Sequence, residues 1–477
     1  MYEELSLYID GEWCQGSAGE SQEVVNPATE KVLGVLPHAS SEDLDRALAA
    51  AERGFKEWSA ASAARRAKVL KRAAELMLER TDHIAATMTL EEGKSLTETR
   101  SEVRFSAGIF EWYAEEAKRA YGRIIPSRLP GVRQMVIQEP IGPAAAFTPW
   151  NFPALTPARK IAGALAAGCS CIIKASTETP GTCVAMARAL ADAGLPAGVL
   201  NLVFGVPSKV SEHLIASPVI RKISFTGSIP VGKLLTKLAA EGMKRCTMEL
   251  GGHAPVVVFD DADAEKAAEM AAAGKFLNAG QVCIAPTRMF VHEAIHDRFA
   301  ARFTEVAKNL KVGDGMEEGT QMGPVANPRQ IATMEEFVAD ARAHGARVAA
   351  GGSRIGNQGY FWAPTVLTDV PDDAMVMVKE PFGPIAPIVR FSTFDEVVER
   401  ANRLPYALAA YAFTRSAKTA MEISDALESG MVAVNHLNIT FPETPFGGVK
   451  ESGYGVEGGI EGLEAYMQVK FVTQMGA

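Results

Sequence analysis

Hydrophobic and polar positions follow different rhythms in successive parts of the chain. Residues 7–35 read as short strands and turns, with a hairpin corner at Ile9-Asp10-Gly11-Glu12-Trp13. An amphipathic helix follows: Ser40 and Asp43 form a capping pair, and Leu44, Ala47, Leu48, Ala51 and Phe55 recur at helical spacing. Further helices are expected over about 63–79 and 98–121. The segment 122–139 changes character, running from Gly, Pro and Arg into the β-rich Gln134-Met135-Val136-Ile137. Apolar strand composition resumes over 140–147, so 122–139 reads as an arm that leaves a domain and returns.

From 158 the pattern alternates. A helix (158–167) leads to the strand Cys171–Lys174, and a second (180–193), stopped by Gly194 and Pro196, to the strand Val199–Phe204. A short helix (208–216), the strand Ile223–Phe225 and a helix over 229–240 complete the series. Such alternation predicts βαβ units and a parallel sheet. It resumes from about 246 to beyond 415, which predicts a second α/β domain, while the Gly-rich tail from 446 ends in a strand over Tyr466–Val472. The expected division is a first domain of 1–121 and 140–247, a second of 248–445, and a small β arm made of 122–139 and 446–477.

Composition narrows the class. A chain of 477 residues, 47% hydrophobic and 22% charged, buries a large core without disulfides or metals. The N-terminal MYEELSLYIDGEW has acids where a secretory signal has bases, and no uninterrupted apolar run is long enough to span a bilayer. Six scattered cysteines suit reduced thiols in the cytoplasm. Cys169 and Cys171 have no partners at metal-ligand spacing, so no metal site is expected. A net charge of −9 argues against nucleic acid as a partner.

Five places could carry chemistry. Cys283 follows a predicted helix through the turn Asn278-Ala279-Gly280-Gln281, where backbone N–H groups can stabilise a thiolate. Glu249, before Gly251-Gly252, is a candidate general base if partly buried. Gly227-Ser228-Ile229-Pro230-Val231-Gly232 opens a helix after a strand and could face a phosphate, though it is neither a G-x-G-x-x-G nor a P-loop. Lys174, at a strand end, could reach ribose hydroxyls. Pro149-Trp150-Asn151-Phe152-Pro153 is a rigid loop whose Asn amide is a candidate oxyanion donor.

Together these pieces resemble the aldehyde dehydrogenase superfamily over essentially the whole chain. The motifs are Phe147-Thr148-Pro149-Trp150-Asn151-Phe152-Pro153, Phe225-Thr226-Gly227-Ser228, Met248-Glu249-Leu250-Gly251-Gly252, Asn278-Ala279-Gly280-Gln281-Val282-Cys283, Glu380-Pro381-Phe382-Gly383-Pro384 and Pro445-Phe446-Gly447-Gly448-Val449-Lys450. The resemblance implies two doubly wound α/β domains, the first binding NAD or NADP, with a β arm that joins subunits into a homodimer or homotetramer. It implies Cys283 as nucleophile, Asn151 as oxyanion donor and Glu249 as the base that hydrolyses a thioester. Lys174, Thr177, Gly227, Ser228, Trp150, Glu380 and Phe382 would hold the cofactor. Thr177 stands where NAD-preferring members carry a ribose-gripping glutamate, so NADP should be tolerated, although Glu178 is adjacent.

Arg159 and Phe152 are the expected substrate contacts. Arg159 resembles the arginine that holds the distal carboxylate in succinate semialdehyde and 2-oxoglutarate semialdehyde dehydrogenases. Leu277 departs from that branch, which commonly has a second arginine there, so neutral aliphatic or aromatic aldehydes stay open as an alternative. Coenzyme A-acylating relatives lack the glutamate, so Glu249 favours a free acid as product. A non-catalytic protein of this fold would be expected to lose Cys283, Glu249 or Asn151, and all three are present.

Overall fold

The structure is a computed structural model and describes residues 2–476. Its first sheet has eight strands, in the order Gly453–Tyr454, Arg245–Glu249, Lys222–Thr226, Ala144–Phe147, Cys171–Lys174, Leu200–Val203, Leu7–Ile9 and Glu12–Cys14. The five central strands are parallel, and antiparallel strands close both edges. They are short and, from Ala144–Phe147 to Lys222–Thr226, almost entirely buried, as parallel strands covered by helices are. From Ala144–Phe147 the chain builds outward first to one side and then to the other. The loops leaving Ala144–Phe147 and Lys222–Thr226 therefore diverge and open a crevice, the usual ligand site of such sheets.

The second sheet has seven strands, all parallel except the edge strand Arg347–Ala350, and encloses its own core. A third sheet pairs Met467–Met475 with Val132–Pro140 along nine positions and adds Arg123–Ile125. The arm expected over 122–139 is thus present as two strands. The tail is divided, however: Gly453–Tyr454 completes the first sheet and the helix Gly459–Glu464 packs beside the helix Leu155–Ala167, so only the last strand joins the arm. Composition made the whole Gly-rich tail look alike because its glycines serve close backbone approach. A Cβ on Gly453 would stand 1.8 Å from the Met248 carbonyl oxygen.

Local signals fix most helix starts. Ser40 and Asp43 form a reciprocal capping box for Ser41–Ala60, as Ser95 and Glu98 do for Leu96–Glu116. The helix Thr81–Glu92 was not expected. Its buried positions include Thr87, Thr89, Glu91 and Glu92, so it shows no clean apolar stripe. It ends at Gly93, whose φ of +100° is a left-handed cap that suits glycine. No described helix is long and apolar enough to cross a membrane.

Candidate active site

Ten of the twelve predicted site residues line one cavity of about 460 Å³ between the two large sheets: Trp150, Asn151, Phe152, Arg159, Gly227, Ser228, Glu249, Cys283, Glu380 and Phe382. The other two, Lys174 and Thr177, lie beyond it, at the end of the strand next to Ala144–Phe147. Lys174 is buried, and loss of solvation lowers its ammonium to about 8.

Cys283 is reached through a run of left-handed backbone at Asn278, Ala279 and Gly280, with φ of 49°, 52° and 73°. The turn has one backbone bond of its own, from Gln281 N to the Asn278 carbonyl at 3.0 Å, and side chains brace it further. Asn278 N donates to Glu98 at 2.8 Å, and Gln281 Nε2 donates back to the Asn278 carbonyl at 3.1 Å. Such strained backbone persists only where its surroundings over-determine it. The half-buried thiol is pushed up to about 12, first by loss of solvation and then by Glu380 and Glu249. In the resting protein it is therefore a neutral thiol that needs a base.

Glu249 ends the strand Arg245–Glu249 and is buried, with neither carboxylate oxygen hydrogen-bonded to any described residue. Burial holds its proton affinity well above the ordinary carboxylate range, and the neighbouring Glu457 adds to the effect. Glu457 was missed from sequence. It pairs with the fully buried Lys160 and accepts from Ser224 Oγ at 3.1 Å. Lys160 and Glu457 stand 297 positions apart, and the signal that could have been used is a second ionisable residue, Lys160 beside Arg159, in an alanine-rich helix.

The Asn151 side chain, 4% exposed, donates one N–H from Nδ2 to the Gln281 carbonyl at 3.0 Å. An amide nitrogen has two hydrogens, so one donor is left on the cavity side. Arg159 is 3% exposed on the helix Leu155–Ala167, and its Nη1 and Nη2 find no acceptor among the described residues. Its guanidinium lies over the Phe446 ring, 4.5 Å from the centroid. Arg159 is therefore a buried cavity residue and not a solvated surface arginine.

The opposite end of the cavity suits a dinucleotide. Ser228 caps the helix Ile229–Glu241 without a side-chain bond, leaving first-turn N–H groups free, and Thr148 and Thr226 at the crevice keep buried hydroxyls without partners. Glu380 Oε1 accepts from Gly252 N at 3.2 Å, and a Cβ on Gly251 would come within 2.5 Å of its other oxygen. Loss of solvation pushes this carboxyl up to about 8. Phe382, at φ +43°, meets Trp150 edge-on at 5.6 Å. Glu178 is engaged elsewhere: it pairs with Arg329 and accepts from Asn327 Nδ2 at 3.2 Å. No group of three or more potential metal ligands occurs among the described residues.

Known proteins resemble this chain over nearly its whole length. A putative 4-(hydroxymethyl)benzenesulfonate dehydrogenase of Comamonas testosteroni is 48% identical over 472 residues, covering 99% of this chain and 98% of the relative. The NADP(+) succinate-semialdehyde dehydrogenase of Escherichia coli K12 is 42% identical, covering 97% and 96%. The crystal structure of succinate-semialdehyde dehydrogenase from Burkholderia pseudomallei superposes with a TM-score of 0.98 at 41% identity, covering 99% and 98%. Residues 13–472 match the profile of the aldehyde dehydrogenase family. With a cysteine and a carboxylate facing one cavity at the edge of a doubly wound sheet, the chain belongs to the aldehyde dehydrogenase family, whose members oxidise aldehydes with NAD or NADP.

Proposed function

We propose that this enzyme oxidises aldehydes bearing a distal anionic group to the free carboxylic acid, through a thioester on Cys283. The observation that carries the reading is Arg159: a buried guanidinium with both Nη atoms unpartnered, in the wall of the cavity that holds Cys283 and Glu249. An unpaired buried cation costs several kcal/mol in principle, so a ligand that completes it is a physical reason for its place. Its fork fits a carboxylate or a sulfonate equally well. The two curated relatives are named for compounds with one or the other. Phe152, Phe446 and Leu277 line the cavity with apolar surface, which suits an aryl or short alkyl spacer between aldehyde and anion.

In this reading Glu249 takes the thiol proton as Cys283 Sγ bonds to the aldehyde carbon. The oxyanion is received by the free Asn151 N–H and the Cys283 backbone N–H. NAD or NADP, when bound, accepts the hydride that leaves that carbon, and the product on the enzyme is a thioester. Glu249 first gives up the thiol proton to solvent and then takes one from water as its oxygen adds to the acyl carbon; the C–S bond breaks, Glu249 returns that proton to the Cys283 sulfur, and the carboxylic acid is released. Gly227 and Ser228 would hold the pyrophosphate, Lys174 the adenosine ribose, and Glu380, Phe382 and Trp150 the nicotinamide end. With Thr177 small and Glu178 held by Arg329, no free carboxylate opposes a 2′-phosphate, so NADP is accepted as well as NAD. The arm sheet is proposed to join protomers into a dimer or tetramer.

The test is kcat/KM for succinate semialdehyde, 4-formylbenzenesulfonate, benzaldehyde and hexanal, each with NAD and with NADP, in wild type and Arg159→Ala. The anionic aldehydes should lead and lose ~10²-fold or more in the variant, the scale of a lost buried charge pair. Equal rates for benzaldehyde and its sulfonate, unchanged by Arg159→Ala, would remove the anion from the reading and leave the chemistry standing.

A further inference from the structure

One buried ammonium outside the cavity touches two of its residues at once. Lys94, 2% exposed, lies in the loop between the helices Thr81–Glu92 and Leu96–Glu116. Its Nζ is 2.6 Å from the Asn151 carbonyl oxygen, 2.5 Å from Glu102 Oε2 and 3.9 Å from the centre of the Phe152 ring. The second oxygen of Glu102 accepts from Ala154 N at 2.9 Å and Leu155 N at 3.0 Å, the start of the helix that carries Arg159. The Asn151 carbonyl takes a second donor, Asn278 Nδ2 at 2.9 Å, from the turn that leads to Cys283. The loop itself has no room to drift, because a Cβ on Gly315 or Gly323 would fall 2.1 Å from the Lys94 carbonyl oxygen or 1.9 Å from that of Gly93.

We propose that Lys94, held by Glu102, is a positioning residue that fixes the Asn151 backbone and thereby aims the oxyanion-binding amide at the aldehyde carbon above Cys283. The inference rests on the reading of Asn151 given above. Two donors on one carbonyl, from Lys94 and from Asn278, leave the residue little rotational freedom, and a donor that must meet an alkoxide gains its value from being fixed beforehand. Lys94 bonds to the Asn151 main chain, so its effect reaches the reaction through the Asn151 side chain. Of the proposed dinucleotide contacts, Gly227, Ser228, Lys174, Glu380 and Phe382 lie outside this network and only Trp150 borders it, so cofactor binding serves as the control.

Lys94→Met alone would strand a buried Glu102 carboxylate, so the variant to make is Lys94→Met with Glu102→Gln, whose amide oxygen can still accept from Ala154 and Leu155. It is compared with its parent in two backgrounds, wild type and Asn151→Ala, by kcat and by cofactor Kd from fluorescence titration. The expected result is a ~10²-fold loss of kcat in the wild-type background, the scale of a misplaced catalytic group, and less than ~3-fold in Asn151→Ala, with cofactor Kd unchanged. Losses of similar size in both backgrounds, or a loss under ~3-fold in the wild type, would overturn it. If the paired variant does not fold, Lys94→Arg in the same two backgrounds is read by the same criteria. A small effect of Asn151→Ala by itself would instead remove the oxyanion reading.

Discussion

The cavity and the arm sheet leave opposite kinds of atom unpartnered. Around Cys283 the unsatisfied atoms are polar and buried: both oxygens of Glu249, both Nη atoms of Arg159 and the hydroxyls of Thr148 and Thr226. On the arm they are apolar and exposed: Ile124 is 76% accessible, Val469 62% and Phe471 55%, while the backbone of Met467–Met475, which carries the last two, is paired for nine residues. Each condition is costly in an isolated chain, the first because desolvated polar groups lack bonds and the second because apolar surface meets water. The difference teaches what would relieve each. Buried orphans of both charges call for a small ligand that brings its own polar groups, whereas an apolar sheet with two open edges calls for another protein surface.

The largest expected effects test the cavity. Cys283→Ala should lower kcat on the order of 10⁶-fold, as loss of a nucleophile does elsewhere, and residual turnover near wild type would place the chemistry on another group. Glu249→Gln has a sharper signature in pH. The carboxyl of Glu249 is held well above its ordinary range by burial and by Glu457, so the base form gains population as pH rises. The Cys283 thiol, at about 12, stays protonated over the same interval. Activity should therefore climb with pH on a limb that belongs to Glu249. Glu380, pushed up to about 8, is a second buried carboxyl that loses its proton as pH rises, but it is proposed to grip the cofactor and should be silent when cofactor saturates. A limb that survives Glu249→Gln at saturating cofactor would take the base role away from Glu249.

A smaller effect tests whether the cavity's orphans are a cost to folding. Arg159→Met removes an unpaired buried cation and keeps its apolar stem against Phe446, so the ligand-free protein should gain on the order of 1 kcal/mol. The melting temperature should rise by about 1–3 °C while turnover of anionic aldehydes falls. A lower melting temperature would mean that the stacking on Phe446 outweighs the missing acceptors, and that Arg159 is placed for packing.

How much of this was legible in the sequence depended on whether the controlling interaction was local. The capping box at Ser40 and the strand–helix alternation are readable because each rests on residues within a few positions. Cys283, Glu249 and Asn151 stood out because turns and prolines mark their loops, and the family's motifs put them in register. Glu457 and Lys94 did not. A glutamate in a Gly-rich tail and a lysine after Glu-Glu-Gly have the composition of solvated loops, and only contacts to Lys160 and to Asn151, far along the chain, bury them. The unexpected helix at Thr81–Glu92 failed for the same reason: its polar residues are buried against partners that no window of sequence contains.

The smallest expected effect on chemistry comes from the arm, where the effect on assembly should be large. Val469 and Phe471 lie two apart on the strand Met467–Met475 and so share a face, opposite Gln138 and Val136. Val469→Asp with Phe471→Asp would force two carboxylates into any apolar interface on that face, weakening it by ~10²-fold or more. Sedimentation at micromolar protein should then show the assembly broken into smaller units. The substitutions leave every cavity residue in place, and backbone pairing with Val132–Pro140 does not depend on those side chains, so kcat/KM per protomer should stay within about threefold. Two results would break the contrast between the regions. A double variant that sediments as the wild type would mean that this face is not where protomers meet. One that dissociates and also loses kcat ~10-fold or more would mean that the arm's pairing helps hold the cavity, joined to it through the helix Gly459–Glu464 and Glu457 just before it.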